Sequence, residues 1–178
     1  MNTQNKSILF IFSGLPATGK STLSKFIAQK YNAAYLRIDT IEQSLKDLCG
    51  IDVQGEGYGL AYKIGSDNLK IGINVVSDSC NSIELTRRDW EKVAQSSHCD
   101  FINIETICSD KKEHQQRAES RVAEVENLKI PDWESIQNCE FHQWREERII
   151  IDTAHKTIKE SEDELYHKIE DYLSDKKS

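Results

Sequence analysis

Gly14-Leu15-Pro16-Ala17-Thr18-Gly19-Lys20-Ser21 is the stretch on which the fold turns. It fits GxxxxGK[ST] at every fixed position, and its surroundings match the mechanism of that motif. The continuous apolar run at 8–12 precedes it, as a buried strand should. Leu23, Phe26 and Ile27 follow at helical spacing. In a strand-loop-helix unit of this kind, glycines let successive backbone N–H groups turn toward phosphate oxygens, and the helix start adds its positive dipole end. Gly14, Pro16, Ala17, Thr18, Gly19, Lys20, Ser21 and Thr22 are therefore the candidate nucleotide-binding residues, with Lys20 reaching the β- and γ-phosphates and Ser21 a magnesium ligand. The bland alternative is a glycine-rich turn that only joins strand to helix.

Working outward, the pattern repeats. A short apolar run at 33–38 ends at Asp39, and Ile41, Leu45 and Leu48 then recur as the expected buried stripe of a helix. Residues 50–72 hold six of the eight glycines, so a mobile loop is expected before helical spacing resumes over 58–70. Further strands are expected at 73–77, 101–105 and 148–151. Helices are expected at 84–94, 110–125 and 132–139, and apolar spacing over 161–173 marks a C-terminal helix of roughly 157–174. Strands alternating with helices imply an α/β fold with a parallel sheet and right-handed crossovers. The terminal SDKKS reads as a solvated tail.

Magnesium needs an acidic partner at the end of a neighbouring strand. Asp78 is placed for that, although an Asp there can also cap the following helix; Glu105 and Asp152 end strands too. Asp39 stands where a carboxylate can accept the proton of an attacking hydroxyl. Asp39-Thr40-Ile41-Glu42 also has the form of a capping box. Arg117 and Arg121 are four apart, so on a helix they share a face and can clamp a polyphosphate; the alternative pairs Glu113 with Arg117 and leaves Arg121 solvated. Arg87 or Arg88 could hold an anionic acceptor, whereas Trp90, Trp133 and Trp144 read as packing anchors and the histidines as ordinary core or surface residues.

The 178 residues suit one domain spanning 1–178, and no apolar run reaches the ~20 residues of a membrane helix. The N-terminus lacks the form of a secretory signal, and five cysteines without a CxxC pair suit reduced thiols; both point to a cytoplasmic protein. A net charge of −7 disfavours long nucleic acid as acceptor and favours a small molecule.

With these residues in place, the chain resembles the AAA_33-type P-loop kinase-like proteins, a group related to chloramphenicol phosphotransferase, zeta-toxin kinases, gluconate kinase and polynucleotide kinase domains. The resemblance rests on GLPATGKST at 14–22, RID at 37–39, VVSDSCNSIELTRRDW at 75–90, IETICSD at 104–110, HQQRAESR at 114–121, PDW at 131–133 and IIIDTA at 149–154. It implies a P-loop NTPase three-layer sandwich with a five-stranded parallel sheet in the order 2-3-1-4-5 and a lid of roughly 109–140. The lid helix would bring Arg117 and Arg121 near the nucleotide, and Asp39 would be the base. The implied activity is Mg²⁺-requiring transfer of the γ-phosphoryl group of ATP to a small-molecule hydroxyl, catalysed by Lys20, Asp39, Arg117 and Arg121, with Ser21 and Asp78 at the metal. A nucleotide-dependent switch, or a kinase of nucleic-acid ends or nucleotide sugars, are the alternatives. The chain departs from the zeta-toxin and polynucleotide-kinase relatives in lacking an arginine shortly after Asp39.

Overall fold

The computed structural model describes residues 6–176. In chain order the elements are β1 (Ile8–Ser13), α1 (Lys20–Lys30), β2 (Ala34–Arg37), α2 (Ile38–Cys49), α3 (Glu56–Lys70), β3 (Val75–Asp78), α4 (Glu84–Ser96), β4 (Asp100–Ile107), α5 (Lys111–Ser120), α6 (Trp133–Gln137), β5 (Ile149–Asp152) and α7 (Ile158–Asp175). The five strands form one all-parallel sheet in the order 2-3-1-4-5, as the resemblance implies.

The alternation of side chains along β1 builds both halves of the core. Phe10 and Phe12 join Ile102, Ile104 and Ile151 under α1 and α7, where Leu23, Ile27, Leu165 and Ile169 close the layer. Leu9 and Ile11 face the other way, against Ala61 and Leu69 of α3 and Trp90 and Ala94 of α4. Trp90 is fully buried, as its reading as a packing anchor requires. With every strand parallel, all five carboxyl ends open onto one edge of the sheet, where ligands of open α/β folds bind.

Five expectations are corrected. Leu48 is 84% exposed and does not belong to the stripe of α2, which buries Ile38 and Gln43 instead. The capping box at Asp39 does not form: β2 passes directly into α2, Arg37 is the N-cap, and Asp39 lies in the first helical turn, where the helix dipole favours a carboxylate. Asp78 caps no helix, since α4 begins only at Glu84. The helix expected over 110–125 ends at Ser120, with Arg121 already extended at φ −68° and ψ 145°. Only His114 and Ala118 of α5 are buried and Val122 is 85% exposed, so no apolar face carries the helix further. Of the expected tail, Ser174 and Asp175 belong to α7, Lys176 caps it, and Lys177 and Ser178 lie outside the described residues.

Candidate nucleotide and acceptor site

Residues 14–19 wrap around the start of α1, and several elements fix the loop. Gly14 has φ 141°, its N–H donates to the Cys80 carbonyl, and a β-carbon there would run into the Thr106 carbonyl, so glycine is required on two grounds. Gly19 is the left-handed N-cap of α1 (φ 89°), and Ala17 adopts a positive φ of 66°. The Thr18 hydroxyl turns inward, donating to the Leu15 carbonyl and meeting the Thr106 hydroxyl at 3.2 Å. Thr153 donates to the Thr18 carbonyl from the end of β5, and His114 of α5 contacts the Pro16 carbonyl at 2.8 Å through Nε2. Thr106 and His114 are supports that the motif does not announce.

Behind the loop, Lys20 Nζ lies 2.9 Å from Asp78 Oδ1, and the Tyr35 hydroxyl donates to Asp78 Oδ2 at 2.5 Å. Both members of the ion pair are buried. Burial alone would push the Asp78 carboxyl up; the Lys20 charge, with hydrogen bonds from Tyr35, Lys20 and Ser21, instead holds it down to about 2. For Lys20, burial works downward and is outweighed by Asp78, so its pKa is raised. A carboxylate held ionised beside the Ser21 hydroxyl, at the mouth of a phosphate cradle, has the chemistry magnesium requires, and these residues fit that ion. Among the described residues no group of three His, Cys, Asp or Glu could hold a metal without help from a ligand.

A cavity of about 550 Å³ opens on this edge, within the size range of small-molecule sites. Pro16, Ala17, Gly19, Lys20, Ser21, Thr22, Asp39, Arg117 and Arg121 all line it. Gly14, Thr18 and Asp78 do not; they lie beneath its surface as supports. Arg117 donates to the Thr153 hydroxyl at 2.8 Å and carbonyl at 2.9 Å, and pairs with Glu113 at 2.5 Å. Arg121 reaches the same cavity from beyond the helix end, so the two arginines converge without the shared helical face that their spacing suggests. The lining is basic: Lys20, Arg37, Arg117, Arg121, Lys129 and Lys156 stand against only two carboxylates, Asp39 and Glu124.

Other strand-end acids have structural partners. Glu105 pairs with Arg148 at 2.5 Å, and Asp152 accepts from the backbone N–H groups of Ser109 and Ala154. Arg87 is only 1% exposed, donates to the carbonyls of Ser82, Ile83 and His142, and stacks on Trp144 at 4.2 Å. Arg88 pairs with Glu84 at 2.5 Å. Arg87 pins the stretch before β5, and neither arginine lines the cavity, which corrects their reading as acceptor holders; the arginines that line it are Arg37, Arg117 and Arg121. All five cysteines are free thiols. Among the described residues no helix is long and apolar enough to cross a membrane.

Solved structures share this fold. The Mycobacterium tuberculosis APS kinase CysC in complex with AMPPNP and APS is 15% identical, with a TM-score of 0.67 over 93% of this chain and 99% of that one. A gluconokinase from Sinorhizobium meliloti 1021 is 14% identical, with a TM-score of 0.62 over 90% of each chain. Chaetomium thermophilum Kti12 in complex with ADP-AlF3 is 17% identical, with a TM-score of 0.62 over 89% of this chain and 97% of that one. No curated protein sequence matches the chain. A family model described as an AAA domain, AAA_33, matches residues 9–137, from the second residue of β1 to the last of α6, and the chain belongs to that family.

Proposed function

We propose that the protein is an ATP-dependent phosphotransferase that moves the γ-phosphoryl group to a hydroxyl of a small molecule. The observation that carries this is that Lys20 and Asp39 line one cavity, a phosphate-binding cation and a carboxylate from the first turn of α2, where β2 ends on the carboxyl edge of the sheet. Backbone N–H groups of residues 17–20 would hold the β- and γ-phosphates, and Lys20 would leave Asp78 to reach them. Asp39, whose side chain is 40% exposed, would accept the proton of the incoming hydroxyl. Arg117 and Arg121 would stabilise charge spreading over the moving group, from a lid made of α5 and the stretch that follows it. Magnesium, held by Ser21 and Asp78, would neutralise phosphate charge. The APS kinase and gluconokinase likenesses support a small acceptor by their names.

A second reading, a nucleotide-gated switch, is favoured by one observation: Glu124, beyond α5, ties that stretch to Arg37 and Lys25 across the cavity mouth, a contact that nucleotide could break. Phosphoryl transfer from γ-labelled ATP with Mg²⁺ to nucleosides, sugars and hydroxy acids, run on wild type and Asp39→Asn, separates the two. The kinase reading expects one acceptor class to be labelled, with a loss of about 10²-fold or more in Asp39→Asn and unchanged ADP affinity. Slow phosphate release, equal in both proteins and without labelled acceptor, sinks it in favour of the switch.

A further inference from the structure

Two cations meet one carboxylate at the cavity mouth. Arg37 ends β2 with a side chain only 10% exposed, and its Nη1 donates to Glu124 Oε2 at 2.8 Å. Lys25 Nζ, from α1, reaches the same oxygen at 2.5 Å. Glu124 is 54% exposed and stands on the irregular chain between α5 and α6. Arg37 Nε is buried and lacks a hydrogen-bond partner. It lies 3.9 Å from Asp39 Oδ2 and 4.0 Å from Asp78 Oδ2, beyond hydrogen-bonding range, and Asp78 is already committed to Lys20 and Tyr35.

A guanidinium withdrawn from water to this degree calls for an oxyanion that uses its fork of donors. The present occupant accepts from Nη1 alone and comes from the irregular chain between α5 and α6. The nucleotide claims Lys20 and the two lid arginines, which leaves Arg37 without a role in phosphate binding at the loop.

We infer that Arg37, with Lys25 at the rim, is the seat for an anionic group of the phosphoryl acceptor, and that Glu124 fills the seat until the acceptor displaces it. Calling the ligand an acceptor rests on the kinase reading; the anion site itself does not. The 3.9 Å between Arg37 Nε and Asp39 Oδ2 limits the ligand further. A molecule whose hydroxyl bonds Asp39 while its oxyanion bonds Arg37, each across about 2.8 Å, carries the two groups no more than about 9.5 Å apart. The acceptor class is therefore a compact hydroxy acid or a hydroxyl-bearing phosphate or sulfate. Neutral alcohols and sugars offer the arginine no oxyanion in exchange for Glu124 and are rejected.

Inorganic sulfate probes the site, titrated calorimetrically into wild type, Arg37→Gln and Glu124→Ala, with and without ADP·Mg. The 14–19 loop is expected to take sulfate as well, so stoichiometry separates the two seats. Glu124→Ala is expected to bind two sulfates, the second at least fivefold tighter than in wild type, and Arg37→Gln only one. ADP·Mg should expel the loop sulfate and spare the other. Equal sulfate stoichiometry and affinity in wild type and Arg37→Gln, or no gain in Glu124→Ala, overturns the inference. ADP affinity within threefold of wild type certifies the fold of Arg37→Gln, and the exposed Glu124→Ala carries the test if that variant does not fold. Failure of every protein to bind ADP, with the sulfate difference intact, overturns the kinase reading and leaves this site standing.

Discussion

Lys20 and Asp78 keep each other ionised in a place that would otherwise discharge both. The depressed carboxyl pKa makes a definite pH prediction. Asp78 titrates at 3.8 when unfolded and at about 2 when folded, so its contribution is full above pH 4 and disappears as pH falls toward 2, a loss of about 2 kcal/mol. Lys20, with its pKa raised, acts at the other limit: its contribution is full below 10.5 and is lost as pH rises through the folded value. Urea unfolding of wild type and Asp78→Asn between pH 2 and 6 should show the acid limb steeper in wild type, and parallel limbs would remove the pair from the account. Lys20 and Ser21 were legible in the sequence because motif spacing places them, and Asp39 because it closes the second apolar run. Tyr35, Thr106 and His114 were not, since each acts on a residue 43, 88 or 98 positions away and carries no local signature. Arg37 was legible only as part of RID; its orientation into the cavity depends on how β2 ends.

Elements with a strong apolar period were read closely, and α1, α4 and all five strands lie within a few residues of expectation. The errors fall where charge dominates. The stretch 110–125 looks helical by composition, yet a helix lacking an apolar face has nothing to pack against, and the chain leaves α5 at Ser120 to bring Glu124 over Arg37. The C-terminal helix shows the converse. Thr157 accepts from the Glu160 N–H while the Glu160 side chain accepts from the Thr157 N–H, a complete capping box that starts α7 ahead of its first buried residue, Ser161. Thr157→Ala should cost about 1 kcal/mol, measured as a lower urea midpoint at unchanged m-value. An unchanged midpoint would mean that packing of Leu165 and Ile169 alone sets that end of the helix.

Across the whole molecule, the net charge of −7 and a cavity with six basic lining residues set a local attraction against a global repulsion of anions. A ligand that satisfies those cations stabilises the folded chain: ADP·Mg at a hundred times its dissociation constant should add about 2.7 kcal/mol, seen as a higher melting temperature. Lys20→Ala should lose most of that shift, and an equal shift in both proteins would place the nucleotide elsewhere. The sheet order emerged from resemblance, while its two-faced core could be read from β1 alone. One junction constrains how this design can change. Because β2 runs into α2 with no residue between Arg37 and Ile38, there is no loop there to lengthen. A single inserted residue would swing Asp39 by about 100° around the helix axis, away from the loop that carries Lys20. The nucleotide end of the cavity can tolerate reshaping of its lid, but the acceptor end is tunable by substitution alone.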